Sequence, residues 1–192
     1  MKNASHTIRK ELRGIVVFLA LIWLCFVASK FLPLTDYGLQ PRRLQGVVGI
    51  AAMPFLHANF SHITSNTVPL VVLLCLLAGS QARSWWVVVE IVLFSGALLW
   101  LVGRSAIHIG TSGLVFGLIT YLILSGVFER RIVSLIISAV TFILYGSTLV
   151  WGVIPVAPGV SWEGHLCGVI AGGLLAFAQK PRARGSQRLT TR

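Results

Sequence analysis

Six apolar runs separated by short polar segments dominate the chain, at residues 14–28, 62–78, 85–102, 112–127, 132–151 and 162–178. A helix rises about 1.5 Å per residue, so runs of this length approach the roughly 30 Å of a hydrocarbon core, and the pattern predicts six transmembrane helices. The first run could continue to Leu32. The fourth is short: its 16 residues from Ser112 to Val127 reach roughly 24 Å. The connection 33–61 holds Pro41, Arg42, Arg43, several glycines and the moderately apolar Val47 to Leu56, and reads as an interfacial loop with short helical pieces. Gly79 to Ser84 turns the chain, and proline and glycine keep Gly152 to Gly159 out of helix.

The organisation expected is a basic cytoplasmic leader at 1–13, an all-α integral membrane domain at 14–179 and a basic cytoplasmic tail at 180–192, with no repeat. The leader and first run share the layout of a signal peptide. An uncleaved span is preferred, because its loss would leave an odd number of helices.

Composition agrees with a membrane protein: mean hydropathy is +0.86, 56% of residues are hydrophobic and 11% are charged. The formal net charge of +11 does not point to nucleic acid, because the basic residues cluster in short flanks beside apolar runs. Twelve of the sixteen Lys and Arg fall on the side of the termini, and Lys30, Arg42, Arg43 and Arg104 fall on the other. The positive-inside rule then predicts both termini in the cytoplasm, in a plasma (bacterial inner) membrane. Cys25, Cys75 and Cys167 lie within predicted spans without metal-type spacing, and no metal or cofactor is expected.

This topology carries polar side chains of three spans to one depth. Span two enters with His62 and Asn66 four residues apart on one face, span four with Ser112, and span six with His165 in its first turns. Polar groups inside a membrane are costly and face the bundle interior, so these four should converge. A serine needs a base to take its proton, and a developing oxyanion needs amide, imidazole or backbone N–H donors. Gly113 and Gly117 on span four, and Gly164, Gly168 and Gly172 on span six, have the small-xxx-small spacing that lets backbones approach.

These residues resemble the rhomboid intramembrane serine proteases. His57 through Asn66 reads as HxxxxHxxxN, Gly110-Thr111-Ser112-Gly113 as the serine motif, and His165-Leu166-Cys167-Gly168 followed by Gly172 as the histidine motif, over roughly residues 41–178. The resemblance implies a six-helix bundle whose short central fourth helix carries the nucleophile at the bottom of a water-filled cavity. It implies Ser112 as nucleophile and His165 as general base in a dyad, with an oxyanion hole from His62, Asn66 and the Ser112 N–H. His57 is expected in a structural role. The expected substrates are transmembrane segments of other proteins, cleaved through an acyl-enzyme without cofactor. The chain departs from the family at Val48-Gly49, where many members carry Trp-Arg, and at Phe116, in the place of a tyrosine that can stack on the family's catalytic histidine.

Other polar residues have plainer readings: His108 a loop or capping role, Glu163 a direction away from His165, and Glu90 a hydrogen-bonding role in the cytoplasmic half. HExxH is absent, and Asp36 alone cannot supply an aspartyl pair. A transporter would run its polar residues across the membrane, not gather them at one depth. The remaining alternative is a rhomboid-like pseudoprotease that binds or chaperones membrane clients without cutting. Oligomeric state is not readable.

Overall fold

The computed structural model describes residues 2–80, 84–155 and 159–181, with the side chains of residues 2–8 left aside. The expected tail from residue 182 onward, Arg83 in the first turn and residues 156–158 of the long loop lie outside the described residues.

Each apolar run becomes a helix: α1 (Lys2–Ala28), α3 (Phe60–Ser80), α4 (Ser84–Val102), α5 (Ser112–Glu129), α6 (Ile132–Gly152) and α7 (Trp162–Ala178), with the one-turn α2 (Gly49–Ala52) in the first loop. The ends move outward from expectation. The basic leader is helical and continuous with α1, α3 runs on through Ser80, and α6 takes in Gly152, which the proline and glycine pattern had placed in a loop. Five helices are long and apolar enough to cross a membrane, and α7 is a shorter apolar helix of 17 residues.

α5 is the centre of the bundle. Every residue from Gly113 to Leu122 is buried, because α3, α4, α6 and α7 all pack against it. The α5–α7 contact is made by backbone: a Cβ on Gly168 would meet the Gly113 carbonyl oxygen, and one on Gly172 would meet that of Gly117. On the lipid side the bundle stays apolar, with Phe142, Ile143, Trp151 and Leu174 exposed.

The loop 33–61 forms 3-10 turns at Leu34–Tyr37, Leu44–Val48 and Met53–Phe55 around α2. It folds onto the Ser112 end of the bundle. Leu39 forms an isolated antiparallel bridge with His108, Leu39 N–H donating to His108 O at 2.9 Å and His108 N–H to Leu39 O at 2.8 Å. Arg42, at φ 59°, donates from Nη1 to the Gly103 carbonyl at 2.8 Å, a cation on the carbonyl end of α4. Trp100 Nε1–H closes the other side by donating to Arg43 O at 3.0 Å. At the far end, Ser84 Oγ–H donates to Glu11 Oε2 and fastens α4 to α1.

Candidate active site

Ser112 is the first residue of α5. Gly110 precedes it at φ 115°, in the left-handed region that favours glycine, and a Cβ there would run into the His62 imidazole, 2.6 Å from Nε2. That contact brings the start of α3 to the serine turn. Gly110 N–H donates to Met53 O at 2.8 Å, so the first loop supports the turn from the other side.

Thr111 caps α5 without a side-chain bond; its hydroxyl instead lies 3.4 Å from His57 Nε2. The first backbone bond of the helix is Val115 N–H to Thr111 O at 3.0 Å. The N–H groups of Ser112, Gly113 and Leu114 precede it and have no partner within the helix, which makes this end a site for developing negative charge.

His57 is only 1% exposed, and its ring meets that of His62 edge-on at 5.0 Å. Burial, then the neighbouring His62 charge, pulls the His57 imidazole down to about 4, so it is neutral at neutral pH.

Two contacts fix the His165 ring. It stacks on Phe116, one turn beyond Ser112, with centroids 4.1 Å apart and planes 5° from parallel. Its Nδ1 lies 2.7 Å from the Gly152 carbonyl oxygen, which only accepts, so Nδ1 carries the proton and Nε2 is left as the acceptor. Glycines set the height of this ring against α5, since a Cβ on Gly113 would meet the Gly164 carbonyl at 3.3 Å. Among the described residues the Ser112 hydroxyl makes no hydrogen bond, to His165 or elsewhere.

Asn66 is buried one turn below His62 and donates from Nδ2 to the His62 carbonyl at 2.8 Å. An amide has a second N–H, and that donor remains for a ligand.

The rhomboid domain profile matches residues 45–182. The chain belongs to the rhomboid family. This rhomboid protein is 38% identical over 175 residues to an uncharacterized protein of Mycobacterium leprae, covering 85% of the chain and 69% of the relative. It is 36% identical over 194 residues to an uncharacterized protein of Mycobacterium tuberculosis, covering 93% and 80%. A protein of Acanthamoeba polyphaga mimivirus named as a rhomboid protein is 27% identical over 160 residues, covering 79% and 84%. The rhomboid is a multi-pass integral membrane protein.

His108, Glu163 and Glu90 each have polar partners of their own. His108 Nε2–H donates to Arg104 O at 3.1 Å, and Nδ1 accepts from Ser161 Oγ–H at 2.7 Å; Ser161 Oγ in turn accepts from Gly164 N–H and caps α7. With both ring nitrogens engaged, His108 ties the loop before Ser112 to the start of the His165 helix. Glu163 turns from His165 to Arg104, Nε to Oε1 3.5 Å. Glu90 Oε2 accepts from Gln179 Nε2 at 3.1 Å, and Gln179 Oε1 accepts from Tyr121 at 2.8 Å. Gln179 caps the opposite end of α7 from His165. Among the described residues no group of His, Cys, Asp and Glu could hold a metal ion.

Sequence reasoning missed the Gly152 carbonyl and the Thr111–His57 contact. A backbone oxygen leaves no trace in residue identity, and no pattern signals it. Thr111 stood in the serine motif, but its partner sits 54 positions away.

Proposed function

We propose that this rhomboid is an intramembrane serine endopeptidase that cleaves transmembrane segments of other membrane proteins. The observation that carries the reading is the state of His165: stacked on Phe116, one turn beyond Ser112, with Nδ1–H donated to Gly152 O and Nε2 unprotonated. Ser112 Oγ attacks the scissile carbonyl carbon while His165 Nε2 takes its proton. The oxyanion is met by the Ser112 N–H, the spare Asn66 N–H and His62. Collapse breaks the C–N bond, the imidazolium gives its proton to the leaving amine, and an ester to Ser112 remains. A water then repeats the attack, its proton going to Nε2 and then to Ser112 Oγ as the acyl product leaves. No step calls for a metal or cofactor.

The same reading takes α7 as a sixth span within a membrane domain of residues 14–179. The distribution of Lys and Arg supports both termini in the cytoplasm and a bacterial inner membrane.

The test is cleavage of a model transmembrane substrate by purified wild type and Ser112→Ala, with fluorophosphonate labelling alongside. Labelling and cleavage by wild type alone support the proposal. Equal cleavage by both proteins discards it, and a folded wild type that neither labels nor cleaves is a pseudoprotease.

A further inference from the structure

The dyad has no acidic third member, yet the His165 ring is held. α6 supplies the hold. Its buried residues are Ser134, Ile137, Ser138 and Thr141, all in the half away from the site. From Phe142 to Gly152 none of its residues is fully buried, and Tyr145 and Leu149 pack only partly against the core. This largely lipid-facing half ends at Gly152, whose carbonyl oxygen accepts from His165 Nδ1 at 2.7 Å. Orphan carbonyls at a helix C-terminus carry the negative end of the helix dipole, the place where an imidazolium is favoured.

The glycine matters as well as the oxygen. A Cβ at position 152 would collide with Phe116 Cζ and Cε1, the ring on which His165 stacks. A side chain there must displace either that ring or the end of α6.

Resting on the protease reading above, we infer that the C-terminal carbonyl of α6 at Gly152 is the positioning group for His165, doing with a helix end what a carboxylate does in a triad. It selects the Nδ1–H tautomer, aims Nε2 at Ser112 and stabilises the imidazolium formed as the serine attacks. The placement of the α6 end and the competence of the base are therefore coupled.

The test uses the full-length protein in detergent micelles. Histidine ¹⁵N spectra, with His165 assigned by difference from His165→Gln, should show a protonated Nδ1 and a bare Nε2 at neutral pH. Replacing the Val153 amide by a backbone ester weakens the Gly152 carbonyl as an acceptor and changes no side chain. The ester chain should show mixed His165 tautomers and label with fluorophosphonate about tenfold more slowly, the scale of one hydrogen bond. Gly152→Ala should slow labelling likewise in the Phe116 background, but add nothing to Phe116→Ala. An Nε2-protonated His165 in the wild type, or an ester chain with wild-type tautomer and labelling rate, overturns the inference. A wild type that never labels overturns the protease reading instead, while the spectrum still decides the tautomer.

Discussion

Phe116 and His165 lie face to face, 4.1 Å between ring centroids and 5° from parallel. Phe116 follows Ser112 by one turn on α5, so the stack registers His165 on α7 against the serine helix. Aromatic pairs of this kind are worth about 0.5–1.5 kcal/mol beyond their burial, so Phe116→Leu should slow cleavage and fluorophosphonate labelling by about 2- to 12-fold. Single-turnover labelling rates check it, and a loss beyond 100-fold would show that the ring does more than stack.

Removal of the base should be far more severe. His165→Ala is expected to abolish cleavage as completely as Ser112→Ala. Ser112→Ala should keep the thermal unfolding profile of the wild type, while His165→Ala, which loses the Phe116 stack and the Gly152 hydrogen bond, should unfold somewhat earlier. Parallel unfolding and cleavage assays in the same micelles measure both.

Asn66→Ala tests the oxyanion assignment. One donor of several is lost, so kcat should fall by about 10²-fold with KM little changed. A rise in KM at unchanged kcat would place Asn66 in substrate binding instead.

Close approach of α5 and α7 depends on particular glycines. Gly168→Ala should destabilise the bundle by about 1–3 kcal/mol, because the new methyl meets the Gly113 carbonyl of the facing helix. Gly173→Ala is the matched control. Its methyl would meet only Leu124 Cδ1 at 3.6 Å and Thr120 Cγ2 at 3.7 Å, ordinary contacts, and unfolding should be unchanged.

Acid should loosen the first loop. Folded His57 titrates at about 4 and the unfolded chain at the ordinary 6.5, so the unfolded state takes up a proton first as pH falls. The His57 contribution is fully present above about pH 6.5, is lost progressively down to about pH 4 and is flat below. Thermal midpoints measured across that window should fall, and His57→Gln should remove part of the slope.

Much of this molecule was legible in its residues. The apolar runs marked α1, α3, α4, α5 and α6, the five helices long and apolar enough to cross a membrane, and the shorter α7, since a bilayer rewards unbroken apolar length whatever the tertiary contacts. His62, Ser112 and His165 stood out because polar side chains inside apolar runs are costly and few. The glycine spacing on α5 and α7 announced backbone contact, and Gly168 and Gly172 make it.

Tertiary structure decided the rest. Whether His108 or His165 has a free ring nitrogen turns on Ser161, Arg104 and Gly152, groups 4 to 53 residues away from their histidines. The Arg42 clamp on α4, the Leu39–His108 bridge and the carbonyl behind His165 are all made with backbone atoms. Side-chain identity sets where helices form and which faces are polar. Backbone oxygens are the same at every position, so only the packed fold chooses which one meets His165.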